Sequence, residues 1–164
     1  QRSLALTFDD GPDPWWTPRI LDILQEHGVK ATFFVVGHLC MLSPHLVRRY
    51  ADEGHTIGLH TWDHPNMLRL SSSAIVDQMD KSLQVLKSIV PHADIRLFRP
   101  PQGRLNKKVL QLVHSFDLSV VLWSRDTEDW KTTTGARDIA QSIGRANDGS
   151  IILLHDGVDA ADQL

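Results

Sequence analysis

Short runs of apolar and β-branched residues alternate along this chain with longer segments in which apolar residues recur every three or four positions. The short runs predict six strands, at residues 4–8, 31–36, 56–59, 97–98, 118–123 and 150–154. The longer segments predict helices at residues 17–26, 43–54, 71–90, 106–114 and 134–146. Such alternation is typical of parallel strands joined by right-handed helical crossovers, and it predicts an α/β fold.

Capping residues sharpen the ends of the predicted helices. In the first helix, Thr17 is the expected N-cap, Pro18 occupies the first helical position and Gly28 ends the helix. The segment 71–90 has apolar residues at steps of three and four, so it predicts the longest helix. The polar segment 126–133 is the best candidate for a functional loop, although a solvated connection also explains it.

The composition is that of an ordinary globular domain. A length of 164 residues favours one domain, and 41% hydrophobic residues are enough for a buried core. The formal net charge of −3 argues against a nucleic-acid surface built on bulk positive charge. Cys40 is the single cysteine, which excludes an intramolecular disulfide. No membrane span is predicted, because the chain has no run of about 18 consecutive apolar residues.

Chemistry-bearing residues follow the predicted strands at their carboxyl ends, where parallel α/β proteins gather functional groups. After the first strand, Asp9 and Asp10 stand side by side at a sharp turn. Adjacent residues at a strand end point in different directions, so one carboxylate could bind a metal while the other acts on a water molecule. An aspartate-rich turn closed by Gly11 and Pro12 is an equally good structural explanation.

His60 and His64 follow the third predicted strand at a spacing of four residues. On one helical turn this spacing places both imidazoles on the same face, which makes half of a metal site. Chance also produces such pairs in a chain with nine histidines. With one carboxylate of the Asp9–Asp10 pair, the histidines give a three-ligand His₂Asp set with an open position, as in metal sites that activate water.

Three further strand ends supply titratable groups. Arg99 begins a rigid turn after the fourth strand and could hold a catalytic carboxylate in its ionised form. Asp129 lies in the polar segment after the fifth strand, and His155 follows the sixth. Each residue alone fits an ordinary surface position, but together they bring such groups to the same edge of the sheet.

These segments, in this order, resemble the five motifs of the NodB-homology polysaccharide deacetylases, which form carbohydrate esterase family four. The matching sequences are TFDDGP (7–12), HTWDH (60–64), RPPQG (99–103), DTEDW (126–130) and LLHDG (153–157). The resemblance runs from Leu4 to Gly157, nearly the whole chain, and it implies one catalytic domain over residues 1–164.

The resemblance implies roles for the metal ligands and the base. It implies that Asp10, His60 and His64 bind one divalent metal ion, most often zinc. Cobalt, nickel and iron are alternatives that a His₂Asp donor set also accepts. Asp9 would be the general base, oriented by Arg99.

Further roles follow for the acid and for substrate binding. His155 would be the general acid, with Asp129 as its partner. The backbone N–H of Gln102 would stabilise the oxyanion, although tyrosine is common at this position in the family. Trp130 and Leu153 would line the pocket for the acetyl methyl group.

The resemblance also implies the architecture, a distorted, incomplete (β/α) barrel with about six parallel strands. A complete (β/α)₈ barrel has roughly 250 residues. Only nine residues follow His155, too few for a final helix and a closing strand. We therefore expect either a barrel that is open near the C-terminus, with a gap beside the sixth strand, or a chain that stops before its natural end.

The implied activity is metal-dependent hydrolysis of the N-acetyl group of an amino sugar, in a chitin- or peptidoglycan-type polysaccharide or a smaller glycoside. An O-acetyl esterase acting on xylan is the alternative within the enzyme class, because the same groups hydrolyse esters. A noncatalytic carbohydrate-binding relative is the alternative outside it. That relative would lack at least one of five residues, all of which are present: Asp9, Asp10, His60, His64 and His155.

The expected partner is an N-acetylated glycan, with no nucleic acid and no membrane span, and the expected state is a monomer. The habit of the family favours an extracytoplasmic location, and the single cysteine also fits a cytoplasmic one. Trp15, Trp16 and Trp62 add aromatic surface near the predicted functional edge. Flat aromatic faces suit sugar rings, and core packing explains these residues equally well.

Overall fold

A computed structural model describes residues 3–157 of the chain. Its centre is one sheet of seven strands: β1 (Ala5–Asp9), β2 (Thr32–Val35), β3 (Thr56–Leu59), β4 (Leu97–Phe98), β5 (Ser119–Val120), β6 (Arg125–Asp126) and β7 (Ile151–His155). The paired strands are all parallel, in the order β5-β4-β3-β2-β1-β7-β6. The expected distorted, incomplete barrel is confirmed, with seven strands instead of about six.

Helices connect these strands: α1 (Trp16–Glu26), α2 (Gly37–Leu42), α3 (Pro44–Asp52), α4 (Ser72–Ile89), α5 (Lys107–His114) and α6 (Ala136–Gly144). The outer face of the sheet packs against them. Phe33 of β2 is fully buried there, and its ring stacks on Phe8 of β1 and on Tyr50 of α3 at centroid distances of 5.1 and 4.2 Å. Among residues 3–157, none of the helices has the length and apolarity that crossing a membrane requires.

The inner face of the sheet carries polar residues. Side chains alternate along a strand, so Thr7 and Asp9 of β1 point away from the outer core that contains Phe8. The register places Asp9 beside Phe34 of β2 on one side and beside His155 of β7 on the other. The inner face at the carboxyl ends of the strands therefore collects both aromatic and titratable groups.

The two edge strands of the described sheet, β5 and β6, are joined directly by residues 121–124. The N–H of Val121 still donates to a carbonyl of β4 at 2.9 Å, whereas the N–H of Ser124 donates to a carbonyl of β7 at 3.0 Å. The chain thus crosses from one edge of the open sheet to the other within two residues. This crossing explains why the run 118–123, predicted as one strand, is a strand only at its start.

The expected gap beside the last strand is wrong. β7 lies between β1 and β6, and its pairing with β1 extends from Ala5–Ile151 to Asp9–His155. An apolar parallel strand needs neighbours on both sides to satisfy its backbone groups. Within the described sheet, the opening lies between β5 and β6 instead. Residues 158–164, to which the expectation of missing closing elements partly refers, lie outside the described residues.

Most predicted elements are confirmed, and the longest helix is α4 with 18 residues. The apolar pattern misses α2 and β6, because a helix of six residues and a strand of two contain too few repeats to show a period. Two 3-10 turns, Met67–Arg69 and Pro101–Gly103, also escape prediction for the same reason.

The expected N-cap role of Thr17 is wrong. Helix α1 begins one residue earlier, at Trp16, and Trp15 occupies the N-cap without a side-chain hydrogen bond. Thr17 is fully buried, and its hydroxyl donates to Oδ2 of Asp156 at 2.7 Å while accepting the N–H of Asp13 at 2.8 Å. Thr17 therefore ties α1 and the loop before it to the end of β7.

Asp156 is the buried carboxyl group at the centre of this junction. Its Oδ2 also accepts the hydroxyl of Tyr50 at 2.6 Å, and its N–H donates to the carbonyl of Asp9 at 3.1 Å. Burial raises the pKa of Asp156 to about 7, although the hydrogen bonds from Tyr50 and Thr17 oppose the rise. Glycine is required at Gly11, because a Cβ there would lie 2.2 Å from Oδ1 of Asp156.

Gly58 of β3 makes room on the inner face for Phe34, its partner in register on β2. Phe34 is fully buried, and the guanidinium of Arg99 lies 4.2 Å from its ring centroid. A Cβ at position 58 would lie 2.6 Å from two atoms of that ring. The glycine thus sets the position of Phe34 and, through it, the space available to Arg99.

We expect Gly58→Ala to destabilise the protein by about 1–3 kcal/mol, because the new methyl group overpacks the inner face against a ring that cannot move. Gly144→Ala is the matched control, since a Cβ there meets nothing within 4 Å. The control should be neutral or stabilising by up to about 1 kcal/mol. Urea unfolding midpoints measure both changes. Equal midpoints for the two variants would contradict the packing assigned to Gly58.

Candidate metal and catalytic site

Four strands deliver the predicted site residues to one edge of the sheet. Asp9 ends β1 and His155 ends β7, and the two are neighbours in register. His60 follows β3 directly, and Arg99 follows β4. The N–H of Arg99 donates to the carbonyl of Leu59 at 2.9 Å, which keeps these two strand ends side by side. This edge therefore carries both the candidate metal ligands and the candidate proton-transfer groups.

Asp10, His60 and His64 form a compact cluster of potential metal ligands. The Nε2 atom of His60 lies 3.2 Å from Oδ1 of Asp10, and the Nε2 atom of His64 lies 3.3 Å from the same oxygen. Ligand atoms of all three residues lie within 4.8 Å of one another. In the described part of the chain, no other group of three or more histidine, cysteine or carboxylate side chains has this arrangement.

The hydrogen bonds around the cluster favour a cation. Nδ1 of His60 lies 2.7 Å from the backbone carbonyl of Arg99, so Nδ1 carries the proton and Nε2 presents its lone pair to Asp10. Oδ1 of Asp10 is buried, without a hydrogen-bond partner among residues 3–157. A nitrogen lone pair and a carboxylate oxygen at this distance repel each other unless positive charge lies between them. The donor set therefore fits a divalent metal ion.

The pKa values of the cluster show the same preference for positive charge. Burial would raise the pKa of Asp10, but His60 and His64 hold it below its usual value. Burial would lower the pKa of His60, but Asp9 and Asp10 raise it above its usual value. The cluster therefore attracts a cation of either kind, a proton or a metal ion.

Asp9 has a different partner from its neighbour Asp10. Its Oδ1 accepts a hydrogen bond from Nη1 of Arg99 at 2.7 Å, while its Oδ2 lies 3.8 Å from Nε2 of His60. Burial raises the pKa of Asp9, although His60 and Arg99 oppose the rise. A carboxylate with a raised pKa beside the cluster of potential metal ligands is suited to accept a proton from water.

Arg99 is fully buried, and its guanidinium joins several parts of the barrel. Besides Asp9, it donates to Oγ1 of Thr7 at 2.8 Å and to the carbonyls of Val121 and Leu122 at 3.1 and 3.2 Å. These carbonyls belong to the segment that crosses between the two sheet edges. Arg99 therefore holds Asp9 in place and ties β1 to the crossing segment at the same time.

His155 and Asp129 form a second pair on the other side of Asp9. Oδ1 of Asp129 lies 2.7 Å from Nδ1 of His155, and Oδ2 accepts the backbone N–H of the same residue at 2.8 Å. Burial would lower the pKa of His155, but Asp129, with smaller contributions from Asp10 and Asp9, raises it to about 9. His155 is therefore protonated at neutral pH and can donate a proton.

Several residues at this edge have a left-handed backbone. The φ angles are 73° at Asp10, 57° at His64, 57° at Gln102 and 56° at Glu128. Such conformations cost residues other than glycine about 1–3 kcal/mol each and cluster at functional sites. At Asp10 the turn lets two adjacent carboxylates take different partners, as the sequence suggested.

The predicted substrate-binding residues occupy three different environments. Gln102 is exposed in the turn after Arg99. Trp130 directly follows Asp129 and is 44% exposed. Leu153 is buried on the inner face of β7, in register with Thr7.

The sequence patterns missed the buried polar residues that support the site. Thr7 bonds to Arg99, and Thr17 and Tyr50 bond to Asp156. Two signals were available in the chain: a threonine inside the apolar run of the first strand, and an aspartate directly after His155.

Comparisons with known proteins give the family and confirm the fold. The sequence model of the polysaccharide deacetylase family matches residues 1–121. A peptidoglycan-N-acetylglucosamine deacetylase of Listeria monocytogenes is 39% identical over 155 residues, covering 94% of this chain but only 32% of that protein. This chain thus spans about a third of the length of that relative.

A chitooligosaccharide deacetylase of Bradyrhizobium is 38% identical and matches 95% of this chain and 71% of its own length. Among solved structures, a family 4 carbohydrate esterase from Streptomyces lividans in complex with acetate superposes with a TM-score of 0.89. Its identity is 31%, and the match covers 95% of this chain and 80% of that one. The match to the family model and the identity to these relatives show that this chain belongs to the polysaccharide deacetylase family.

Proposed function

We propose that residues 1–164 are the catalytic domain of a metal-dependent deacetylase that hydrolyses N-acetyl groups of amino sugars in a peptidoglycan- or chitin-type glycan. The main support for this proposal is that each titratable residue of the site has its own partner. Asp10 faces the two histidines, whereas Asp9 and His155 each have their own charged partner. The relatives named for peptidoglycan N-acetylglucosamine and chitooligosaccharides support the substrate class.

Asp10, His60 and His64 would hold the metal ion. Two imidazoles and one carboxylate favour zinc, and cobalt, nickel and iron fit the same donors. When bound, a divalent ion polarises the acetyl carbonyl and makes water more acidic. The buried Oδ1 of Asp10 would supply negative charge to hold the ion.

Asp9 acts as the general base in this proposal. Arg99 holds Oδ1 of Asp9, so Oδ2 remains directed at the potential metal ligands, 3.8 Å from Nε2 of His60. From there Asp9 removes the proton of a water molecule that attacks the acetyl carbon. The backbone N–H of Gln102 stabilises the negative charge that develops on the carbonyl oxygen.

His155 acts as the general acid. Its raised pKa keeps it protonated at neutral pH, and its bond to Asp129 orients the ring. Proton donation to the departing nitrogen is essential, because an unprotonated amide nitrogen is a poor leaving group. Trp130 and Leu153, beside this pair along the chain, would contact the acetyl methyl group.

We further propose that the domain acts as a monomer outside the cytoplasm. One chain supplies all the proposed site residues, which supports a monomer. The relative named for peptidoglycan supports an extracytoplasmic location, because that polymer lies outside the cell membrane.

Substitutions of the adjacent aspartates should have different effects. Asp10→Asn should lose the metal and the activity together, because it removes a charged ligand. Asp9→Asn should keep the metal but lose about 10²–10⁴ in rate, because it removes the proton acceptor and none of the three metal ligands. Elemental analysis and acetate release measure the two effects, with circular dichroism as the folding control. Equal metal loss in both variants would contradict the assigned roles.

The pH profile of kcat should depend on Asp129. Activity requires protonated His155, so it falls as pH rises through the pKa of this residue. Asp129→Asn removes the charge that raises this pKa, and the alkaline limb should move to lower pH. Glu128→Gln is the matched control, because it removes the neighbouring carboxylate of the same loop, whose partner is Lys131 and not His155. An equal shift in both variants would argue against His155 as the acid.

A substrate panel separates the proposed activity from its alternatives. The metal-loaded protein should release acetate from chitin oligomers or peptidoglycan fragments. Acetate from acetylated xylan alone would identify an O-acetyl esterase. Binding of these glycans without acetate from any of them would identify a noncatalytic carbohydrate-binding protein.

A further inference from the structure

Two adjacent tryptophans stand exposed at the beginning of α1. Trp15 is 61% exposed and Trp16 is 54% exposed. Helix α1 buries a different face, formed by Thr17, Leu21 and Leu24. Core packing, which explained these aromatic residues equally well from sequence, therefore does not account for them. Trp62 differs, because it is only partly exposed and packs against Gly37.

The two tryptophans are held in a defined arrangement with Arg19. Oδ1 of Asp13 accepts the backbone N–H groups of both Trp15 and Trp16, at 2.8 and 2.7 Å. The guanidinium of Arg19 lies 4.0 Å from the ring centroid of Trp15 and 5.8 Å from that of Trp16. Side chains fixed before binding lose less entropy when a ligand arrives. We call these three side chains the tryptophan platform.

The platform directly follows a loop that lines a cavity at the candidate metal site, and Asp13 of that loop bonds to both tryptophans. A cavity of about 160 Å³ has both Asp10 and His64 in its lining, together with Asp13 and Pro14 of the loop that leads to Trp15. Trp15 is five residues after Asp10, so even an extended chain places its Cα within about 18 Å of that ligand. An oligosaccharide with one acetamido group at the cluster can therefore extend towards the platform.

We propose that the tryptophan platform is a second sugar-binding subsite, which stacks on rings of the same glycan beyond the residue that loses its acetyl group. Indole faces suit the apolar faces of sugar rings. Arg19 lies over one face of the Trp15 ring, so a sugar would stack on the other face. Asp13 supplies a polar group beside the two tryptophans. The position of the platform next to the loop that lines the cavity favours a glycan over a protein partner as the occupant. The inference rests on the proposed function, and it predicts that affinity increases with the length of the glycan.

The test measures binding of N-acetylglucosamine oligomers of increasing length by isothermal titration calorimetry. Asp9→Asn protein is used, so that the oligomers are not consumed. Affinity should rise with length in this background. Adding Trp15→Ala and Trp16→Ala should weaken binding of the longer oligomers by about tenfold, the effect of one lost stacking contact of ordinary strength. Binding of the shortest oligomer that is detected should not change.

Ile23→Ala is the matched control, because Ile23 is an exposed apolar residue of the same helix, at 56% exposure. It should leave the length dependence intact. Affinity that does not rise with length, or that falls equally for all lengths in the tryptophan variant, would overturn the platform. Unchanged glycan binding with a changed association state would also overturn it, in favour of a protein interface.

Acetate release by the protein with native Asp9 separates this inference from the proposed function. Length-dependent binding that needs the tryptophans, without acetate release, would refute the deacetylase activity but keep the subsite. Acetate release whose KM depends on oligomer length equally with and without the tryptophans would support the deacetylase activity and refute the subsite.

Discussion

The rest of the site depends on the hydrogen bonds of one buried group, the guanidinium of Arg99. It is a fully buried charge on the inner face of the barrel, paired with Asp9 and bonded to Thr7 and to the carbonyls of residues 121–122. Removing one member of a buried ion pair costs about 3–5 kcal/mol, because the other charge is left without a partner. Other hydrogen bonds of the same guanidinium fix the segment that joins the two edges of the sheet. The crossing between the two sheet edges and the geometry of the candidate site are therefore linked through one side chain.

This link explains how two neighbouring carboxylates can take different roles. The guanidinium of Arg99 pairs with the carboxylate of Asp9. The left-handed turn at Asp10 directs the next carboxylate to His60 and His64. The backbone carbonyl of Arg99 also sets the tautomer of His60, which leaves Nε2 available as a ligand. A third carboxylate, that of Asp129, is hydrogen-bonded to His155. Each proposed role thus has a distinct electrostatic environment.

The sequence predicted the alternating elements and the residues at the functional edge, because apolar periodicity and motif spacing are local properties. It predicted a gap beside the last strand, and this was wrong, because the place of β7 between β1 and β6 is set by long-range pairing. Likewise, Thr17 resembles a helix cap in sequence, but its hydroxyl bonds to Asp156, 139 residues away. The exposure of Trp15 and Trp16 also depends on packing that no local pattern contains.

In the proposed mechanism, Arg99 separates the roles of the two aspartates, so that Asp10 binds the metal ion and Asp9 does not. Anomalous diffraction from crystals of the zinc-loaded protein, recorded at the zinc absorption edge, tests it most directly. We expect one strong peak, coordinated by Asp10, His60 and His64, with Asp9 still paired to Arg99. A peak coordinated by Asp9, or zinc bound without the two histidines, would contradict it.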